Sequence, residues 1–307
     1  MIDLSNIFFI KDIDSHYIIK ILGLRIRLKH SCKYEYKEAT EYGLTREKRN
    51  TELIVSLTSY PKRINTVVKT INTLLQQTIK PDKIILWLAE EQFPNREKDL
   101  PEELLKLENL GLTIDWCEDI RSYKKLIPTL EKYPNAIIVT ADDDIYYEND
   151  WLESLYNAYL KNKNHIYVRR AIRVNFKNGR LIRLSDRQVN YKNFFEPSYL
   201  NQLVGCGGCL YPPHCFYKDI LDKKKFMSVI PTHDDVYFWF MLLLNKRKIQ
   251  VVKGFEANVY CIEGSQEYGL CKQNNNKLGE GMTNQQAYDL MIKEYPEVID
   301  IIKQNID

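Results

Sequence analysis

Hydrophobic and polar positions between residues 53 and 140 form two kinds of segment that alternate along the chain. Short apolar runs rich in β-branched residues read LIVSLTS, KIILWLA, LTIDWCED and AIIVT. The stretches between them carry apolar residues at helical spacing, as in Ile64, Val67, Val68, Ile71, Leu74 and Leu75. Strands that alternate with helices in this way predict a parallel sheet of the nucleotide-binding kind.

The pattern becomes more β-rich after a predicted helix at Trp151–Leu160. Strand-like runs read HIYVRRAIRVNF, GRLIRL, CGGCLY and IQVVKG, and Asp234–Leu244 is apolar on all sides, which is typical of a buried helix. A long polar loop, Gly264–Thr283, precedes a closing helix at about Asn284–Tyr295. We therefore predict an α/β domain over residues 53–307, with a mixed sheet flanked by helices.

Residues 1–52 follow a different pattern. Two strand-like stretches, Ile7–Ile10 and Tyr17–Lys29, flank a polar DIDS, and apolar and basic residues alternate through Leu24–Lys29. This period of two predicts a half-buried strand with a cationic face. A charged segment with little pattern, roughly Lys33–Glu52, reads as a linker. The sequence therefore predicts a small β-rich, hairpin-like extension ahead of the main domain.

Three consecutive aspartates follow the fourth strand of the alternating half. Asp142, Asp143 and Asp144 come directly after AIIVT, and open α/β sheets place their ligands at the carboxyl ends of their strands. Adjacent carboxylates repel one another, so a cation or solvent has to offset their charge. A hard divalent ion with oxygen ligands fits, and such ions commonly bridge to substrate phosphates. The alternative is an acidic loop that faces water.

Composition and net charge indicate which classes of binding partner are expected. The chain has 307 residues, 21 of them tyrosine, and a net charge of +3. The first fifty residues carry ten Lys/Arg against seven Asp/Glu, so the excess lies there and the rest of the chain is balanced. A protein without a strongly basic face is not expected to bind nucleic acid.

Five Lys/Arg and no acid lie between Ser15 and Tyr34. Such a cluster can hold a protein at an anionic membrane surface, so residues 15–34 predict peripheral membrane contact. The alternative is that this extension pads the core or mediates self-association. With no apolar run long enough to span a bilayer and no signal peptide expected, we predict a cytoplasmic location, peripheral at the inner face of the membrane.

The seven cysteines are scattered along the chain, which favours a reducing compartment over a disulfide framework. Cys206 and Cys209 form a CGGC with His214 and Cys215 close behind, so a zinc or redox site is conceivable. No second CxxC follows at finger spacing, and a Gly-rich strand edge explains the same letters.

Taken together, the motifs VSLTSYPKRI, SYKKLIPTLEKYP, TADDDIYY and THDDVYFWF resemble, in their order, a GT-A glycosyltransferase of the bacterial capsule or lipopolysaccharide kind. The resemblance covers about Leu53–Tyr295. It implies a Rossmann-like GT-A fold in which residues 53–145 bind a nucleotide-sugar and residues 146–307 bind the acceptor. It also implies an inverting hexosyltransferase-type enzyme (EC 2.4) that uses Mn²⁺ or Mg²⁺, with a UDP-sugar as the first choice of donor and a GDP-sugar as the second. The acceptor would be a glycan or a lipid-linked glycan.

The resemblance also assigns roles to residues. Asp142 and Asp144 match the DxD pattern of the family, which holds the metal ion, and Asp142 could also reach the ribose; the role of Asp143 is open. A nucleotide-sugar donor would meet Asp142 and Asp143, together with residues at or shortly after the ends of the first and third predicted strands: Thr58, Ser59, Tyr60, Arg63, Asp119 and Lys125. Arg63 could equally be an exposed residue of a first helical turn, and Lys125 a surface lysine. No histidine follows His233, so diphosphate oxygens and water would complete the coordination of the ion.

An inverting transfer needs a base that takes the proton of the acceptor hydroxyl. Asp235 matches the usual base of the family, with Asp234 as second candidate. However, Thr232 and Asp235 also have the spacing of a capping box, with Asp in place of Glu. Gly207 and Gly208 predict close approach of the backbone to the donor sugar or acceptor. A tight bulge without a ligand is the alternative there.

Three other functions share part of these features. A sugar nucleotidyltransferase has the same α/β half and metal carboxylates but usually opens with a Gly-rich phosphate loop, and TSYPKR contains no glycine. A non-catalytic carbohydrate-binding protein would need neither a metal triplet nor a second carboxylate pair. A glycoside hydrolase uses two carboxylates without apparatus for a diphosphate.

Overall fold

The computed structural model describes residues 34–177, 179–184, 195–252, 259–268 and 282–304, the last two residues of 259–268 by their backbone alone. It also describes the backbone of residues 8–13, 16–21 and 24–29. These last residues form an antiparallel meander of three strands: β1 (Phe8–Ile13), β2 (His16–Ile21) and β3 (Leu24–Lys29). The predicted stretch Tyr17–Lys29 is therefore two paired strands rather than one. The predicted cationic face concerns side chains outside the described residues, so it stays a prediction.

The other strands are short and apolar. In chain order they are β4 (Leu53–Thr58), β5 (Lys83–Ala89), β6 (Leu112–Cys117), β7 (Ile137–Thr140), β8 (Ile145–Tyr146), β9 (Ile166–Val168), β10 (Ala171–Lys177), β11 (Arg180–Arg183), β12 (Asn201–Leu203), β13 (Cys209–Tyr211), β14 (Ile249–Val251) and β15 (Tyr260–Cys261).

The helices lie between these strands and after them. They are α1 (Val67–Leu75), α2 (Glu102–Lys106), α3 (Ile127–Lys132), α4 (Trp151–Lys161), α5 (Lys223–Val229), α6 (Asp234–Leu244), α7 (Asn284–Glu294) and α8 (Glu297–Lys303). Among the described helices, none is long and apolar enough to cross a membrane.

A seven-stranded, mostly parallel sheet forms the centre of the molecule, with strand order β14-β9-β13-β7-β4-β5-β6. Strands β6, β5, β4 and β7 are parallel neighbours, whereas β13 runs antiparallel between β7 and β9. The chain builds outward from β4 through β5 to β6 and then returns to place β7 on the other side of β4. The strand order therefore reverses between β4 and β7, and such a reversal opens a crevice at the carboxyl ends of the two strands. The predicted mixed α/β sheet flanked by helices is confirmed, and its strand order is compatible with a Rossmann-like fold.

Each face of the sheet is covered by its own hydrophobic cluster, because side chains alternate along each strand. Leu53, Val55 and Leu57 of β4 point toward α1, α2 and α4, whereas Ile54 points toward α3 and α5–α8. The prediction of a buried helix at Asp234–Leu244 is confirmed: in α6 every residue except Asp235 is buried. This helix is enclosed because strand β12 and helices α7 and α8 pack around it.

Several predicted helices are shorter than the pattern indicated. The crossover predicted at Ser122–Lys132 is a 3-10 turn, Arg121–Lys125, followed by the six-residue α3. The helix predicted at Leu100–Leu110 is α2 followed by a 3-10 turn. It ends, as predicted, at Gly111, whose φ of +111° is a left-handed conformation that glycine adopts without strain.

Two smaller sheets lie on the carboxyl-terminal side of the chain. Strands β11, β10 and β12 form an antiparallel three-stranded sheet in that spatial order, and β15 pairs with β8 just after the aspartates. The loop predicted at Gly264–Thr283 lies outside the described residues from position 269 to position 281. Its described beginning includes a 3-10 turn, Ser265–Tyr268.

Residues 34–52, predicted as part of a linker, contain no helix or strand but are bonded to the core. The amide of Gly43 donates to the carbonyl of Leu110 at 2.8 Å, and Arg49 forms an ion pair with Asp82 at 2.9 Å. A Cβ atom added at Gly43 would lie 2.8 Å from the Cα of Leu75 in α1. This segment therefore packs closely on the main sheet unit.

We predict that Gly43→Ala lowers the free energy of unfolding by about 1–3 kcal/mol, because the added methyl group forces helix α1 or the segment to move. Urea denaturation measures the change. Thr40→Ala, an exposed change in the same segment, is the matched control and should stay within about 0.5 kcal/mol of the wild type. Equal stability of the two variants would show that the segment is not anchored at Gly43.

Candidate functional site

A cleft of about 1110 Å³ opens at the carboxyl ends of β4 and β7, where the strand order reverses. The residues after β4 and β7 form one side of it, and the start of α6 forms another. Most of the predicted site residues line this cleft: Thr58, Ser59, Tyr60, Arg63, Asp119, Lys125, Asp142, Asp143, Asp144, Asp234 and Asp235. The fold thus brings together motifs that lie almost 180 residues apart in the sequence.

The three aspartates after β7 each have a different partner. Asp142 accepts from the Lys125 ammonium at 3.1 Å. Asp143 accepts from the hydroxyl of Ser59 at 2.6 Å and from Arg63 at 2.7 Å. Asp144 forms an ion pair with Arg63 at 3.1 Å. The charge of the triplet is therefore offset in part by two cations of the protein itself, which the sequence-based argument for a metal ion did not foresee.

The compensation is incomplete at Asp144. Burial, followed by the charge of Asp142, raises the pKa of Asp144 to about 7, although Arg63 opposes that shift. The Nε2 amide of Gln266 also donates to Asp144 Oδ2, at 2.8 Å. Within the described residues no hydrogen bond reaches Asp144 Oδ1 or Asp142 Oδ2. These two carboxylate oxygens thus have free lone pairs. Because the negative charge around them is only partly compensated, they are suited to bind an additional cation.

Lys125 joins the two acidic motifs. Its ammonium lies 3.1 Å from Asp142, 2.8 Å from Asp234 and 3.4 Å from Asp235, and its side chain is only 7% exposed. Burial alone lowers the pKa of Lys125, but the three carboxylates raise it well above its usual value. The alternative of a solvated surface lysine is therefore wrong, and this side chain is a fixed positive charge beneath the cleft.

Arg63 is likewise not an exposed first-turn residue, which corrects that alternative. Its guanidinium contacts Asp143 and Asp144, its Nη2 donates to the carbonyl of Ser265 at 3.2 Å, and its side chain is 11% exposed. Burial lowers the pKa of Arg63, but the two aspartates raise it more, so it stays charged. Arg63 thus ties the end of β4 to the residues after β15.

The two carboxylates at the start of α6 have different surroundings. Asp234 is held by the Ser122 hydroxyl at 2.8 Å and by Lys125, and its side chain is 9% exposed. Asp235 accepts from the amide of Gly205 at 2.9 Å, and 28% of its side chain stays accessible from the cleft. Burial raises the pKa of Asp235 to about 6 in spite of Lys125. Of the pair, Asp235 is the one that can meet a molecule in the cleft.

The capping-box alternative for Asp235 is wrong. The N-cap of α6 is His233 rather than Thr232, and its side chain makes no cap hydrogen bond. The hydroxyl of Thr232 contacts Nδ1 of His233 at 3.1 Å. Asp235 directs its carboxylate to Gly205 on a neighbouring segment, so its position serves the cleft and not the end of the helix.

Gly207 and Gly208 do not lie at the cleft, contrary to the prediction for them. A Cβ atom at Gly207 would lie 2.6 Å from the Cβ of Arg170, and one at Gly208 would lie 2.4 Å from the indole nitrogen of Trp151. Gly208 also has a φ of +89°. Both glycines therefore permit close packing of the protein on itself, which is the bulge alternative.

Gly205 is the glycine that the site requires, and the sequence reasoning missed it. A Cβ atom there would lie 2.5 Å from the ammonium of Lys125 and 2.9 Å from Asp235. Its amide is also the donor to Asp235. The same GCGGC motif contains all three glycines, and only the packing of α6 against this turn distinguishes the functional position.

Other predicted donor contacts lie along the β4 side of the cleft. Asp119 is oriented by Gln92 at 2.7 Å and by Lys124 at 2.8 Å; burial would raise the pKa of Asp119, but these hydrogen bonds hold it below its usual value. Thr58 donates to the carbonyl of Trp87 at 2.8 Å. The ring of Tyr60 lies 5.9 Å from the Arg63 guanidinium.

An aromatic wall lies beside the aspartates and was not predicted. Tyr34, from the segment ahead of the domain, stacks on Tyr146 with ring centroids 4.9 Å apart and packs against Tyr260 at 5.6 Å. The hydroxyl of Tyr146 donates to Glu263 at 3.1 Å. The high tyrosine content was the available signal, but it could not indicate which of the 21 copies meet.

The two cysteines of CGGC are separate thiols whose surroundings favour the protonated form. Cys206 and Cys209 are both free thiols. Burial raises the pKa of Cys206 to about 12 and that of Cys209 well above its usual value, so both thiols keep their protons at neutral pH.

Among the described residues, no group of three or more His, Cys, Asp or Glu side chains is arranged to hold a metal ion unaided. A metal at Asp142 and Asp144 would therefore need further ligands. Comparison of the chain with models of known protein families gives no match, and comparison with curated proteins gives none either.

We predict that Asp144→Asn stabilises the protein in metal-free buffer. The folded-state pKa of about 7 lies above the unfolded value of about 3.9, so ionising Asp144 costs stability as pH rises from about 4 to about 7. Asparagine avoids that cost, which is on the order of 4 kcal/mol above pH 7. Urea denaturation with EDTA at pH 5 and pH 8 should show a larger gain at pH 8.

Asp150→Asn provides the control for this measurement, because Asp150 is an exposed aspartate a few residues downstream. It should show no such pH-dependent gain. An Asp144→Asn protein that is less stable than the wild type at pH 8 would contradict the prediction, and would mean that Arg63 fully compensates the charge of Asp144.

Proposed function

We propose that this protein is a GT-A-fold glycosyltransferase that moves a sugar from a nucleotide-sugar to a glycan or lipid-linked acceptor in bacterial surface polysaccharide synthesis. One observation carries the proposal. At the reversal of strand order, the aspartate triplet and the aspartate pair lie on one cleft, and Lys125 contacts both. A transferase of this kind needs one acidic centre for the leaving diphosphate and a second for the acceptor hydroxyl.

The triplet supports the donor side of the proposal. Asp142 and Asp144 each keep a carboxylate oxygen without a hydrogen bond among the described residues, and the raised pKa of Asp144 indicates a shortage of positive charge. Oxygen donors of this kind fit Mn²⁺ or Mg²⁺. Such an ion stabilises the negative charge that develops on a leaving diphosphate. Asp143 has a supporting role in this arrangement, since it is bonded to Ser59 and Arg63.

The nucleotide fits along the end of β4. Tyr60 offers a ring for a pyrimidine base, and Asp119 offers a carboxylate for ribose hydroxyls. Thr58 and Ser59 line the same cleft, and Ser59 donates to Asp143 of the triplet. Because the cleft of about 1110 Å³ exceeds the ~300–1,000 Å³ of most small-molecule sites, it has room for a donor and part of an acceptor together.

Asp235 is the proposed base. It is accessible from the cleft, it is ionised above a pKa of about 6, and the Gly205 amide fixes its orientation. The start of helix α6 further favours the ionised form that a base needs. Asp234 is bonded to Ser122 and Lys125, so we assign it the task of holding Lys125 rather than meeting the acceptor.

A thermal-shift screen of UDP-, GDP-, CMP- and dTDP-sugars, with and without Mn²⁺, tests the proposal directly. A nucleotide-sugar that raises the melting temperature only with the metal ion supports a transferase and identifies the donor. Turnover of a nucleoside triphosphate and a sugar phosphate to a nucleotide-sugar would instead indicate a nucleotidyltransferase. A protein that responds to none of these ligands would refute the proposal.

We predict that nucleoside diphosphate binding depends on a divalent ion through Asp144. In calorimetry, Asp144→Asn should lose the metal-dependent part of UDP or GDP affinity while its fold persists, because one of the two metal-binding carboxylates is gone. Asp150→Asn should bind as the wild type does. The metal site would be excluded if the Asp144 variant and the EDTA-treated wild type both bound the nucleoside diphosphate as tightly as the untreated wild type does.

We predict that Asp235→Asn lowers turnover by roughly 10²–10⁴ while donor affinity stays near that of the wild type, because proton removal is lost and binding is not. In the wild-type enzyme, kcat/KM should rise with pH and level off above about pH 6, where Asp235 is ionised. Steady-state kinetics between pH 5 and pH 8 measures both effects. Near-normal turnover of Asp235→Asn together with an inactive Asp234→Asn would identify Asp234 as the base instead.

A further inference from the structure

A second part of the cleft lies against the three-stranded sheet β11-β10-β12. Cross-strand pairing places its residues on one face: Gln202 lies opposite Ile172, and Arg183 lies opposite Val174, two residues further along β10. Directly opposite residues in antiparallel strands share a face. Arg170, two residues before Ile172, and Asn284, the first residue of α7, line the same cleft. We call Arg170, Ile172, Arg183, Gln202 and Asn284 the arginine pocket.

The charge of the arginine pocket is opposite to that of the aspartate side. Its charged members are both arginines, and no described residue of this group is acidic. Arg183 makes no ion pair or hydrogen bond with the described residues and is exposed, so its guanidinium is available to a ligand. On the aspartate side, by contrast, Arg63 and Lys125 are already occupied by carboxylates.

Gln202 adds a hydrogen-bond donor to the arginine pocket. It is 2% exposed, its Oε1 accepts from the hydroxyl of the buried Tyr288, and it lines the cleft. Among the described residues nothing accepts from its amide nitrogen, which therefore has two unused N–H donors. This nitrogen is not among the described buried polar atoms that lack a partner, so it is accessible from the cleft, where a ligand that accepts a hydrogen bond can replace water.

Helix α7 also favours a negatively charged ligand in the arginine pocket. Its first turn lies on β11, since Gln285 donates to the carbonyl of Leu181 at 2.9 Å, and Asn284 reaches the cleft. The start of an eleven-residue helix carries partial positive charge. The arginine pocket thus combines a free guanidinium, an unpaired amide donor and a helix start, which together suit an oxyanion.

We propose that the acceptor carries an oxyanion, a phosphate ester or a carboxylate, and that the arginine pocket binds it through Arg183 and Gln202. This inference rests on the proposed function, because it identifies the ligand of the pocket as the acceptor. Gln202 is three residues before Gly205, the donor to Asp235, so the two lie roughly 10 Å apart along an extended chain. An acceptor anchored there places a hydroxyl near the base while its anion stays away from the aspartates.

Binding of small probes to the full-length protein tests the pocket. Glycerol phosphate, glucuronate and glucose are titrated by NMR at constant ionic strength, with EDTA present so that a metal-held phosphate does not contribute. At least one of the two anions should bind more tightly than glucose. Arg183→Gln should weaken that binding about tenfold, since it removes a charge-assisted hydrogen bond. Arg183→Lys, which keeps the charge, should lose less.

Arg180→Gln is the matched control. Arg180 lies on the same strand, is exposed, pairs with Asp289 and does not line the cleft. Arg180→Gln removes the same charge as Arg183→Gln but at a position outside the pocket. It should therefore leave the binding of the probes unchanged if Arg183 acts through direct contact. Loss of glycerol phosphate binding alone in Arg183→Gln identifies a phosphate, and loss of glucuronate binding alone identifies an acidic sugar. The proposal is overturned if no anion binds better than glucose, or if the Arg180 and Arg183 variants lose equal affinity.

Nucleotide binding to the same variants separates this proposal from the proposed function. Arg183→Gln should keep metal-dependent nucleotide affinity, because Arg183 is not placed with the donor residues. If the wild type binds anions through Arg183 but binds no nucleotide, the transferase assignment fails and the anion pocket stands. If nucleotides bind and anion binding does not depend on Arg183, the pocket assignment fails alone.

Discussion

The buried ammonium of Lys125 is the interaction on which the cleft depends. Three carboxylates from two distant motifs converge on it, and a cluster of that charge could not persist in a poorly solvated place without a cation. Lys125 comes from the 3-10 turn ahead of α3, so the connection between β6 and β7 sets the distance between the triplet and the start of α6. Arg63 has the corresponding task on the other side of the triplet, where it also reaches the segment after β15.

The ion pairs divide the charged residues of the cleft into two groups. Asp143 and Asp234 are nearly enclosed and hold the cations in place, whereas Asp142 and Asp235 keep more than a quarter of their side chains accessible. Asp144 is also enclosed, but its raised pKa shows that the protein alone does not satisfy its charge. In each motif, carboxylates that hold a cation of the protein thus stand next to carboxylates that are available to a ligand. Such a division is expected where neighbouring carboxylates have different tasks.

The cleft is also divided by sign. The ends of β4 and β7 present carboxylates that are paired or suited to a metal ion, and the face of the three-stranded sheet presents arginines and amide donors. A donor with a metal-bridged diphosphate and an acceptor with its own anion would repel each other if they shared one subsite. Separate electrostatic surroundings at the two ends of a single cleft remove that conflict. The absence of a side chain at Gly205 lets Lys125 and Asp235 pack against this turn between the two ends.

The amino-acid pattern alone was enough to predict the parallel half of the sheet and many residues of the site. Few folds are compatible with apolar runs of strand length that alternate with segments of helical periodicity. The parallel half of the sheet, the buried helix α6 and the acidic edge after β7 could therefore be predicted. Gly111 ended its helix as expected. The partners of each charged side chain became known only from the folded chain. The sequence showed no reason why Lys125 should be buried, why Gly205 and not Gly207 or Gly208 should contact Asp235, or why Tyr34 should stack on Tyr146. Local patterns encode which face of an element is apolar, whereas ion pairs, close backbone approaches and aromatic contacts depend on distances between segments that are far apart in the chain.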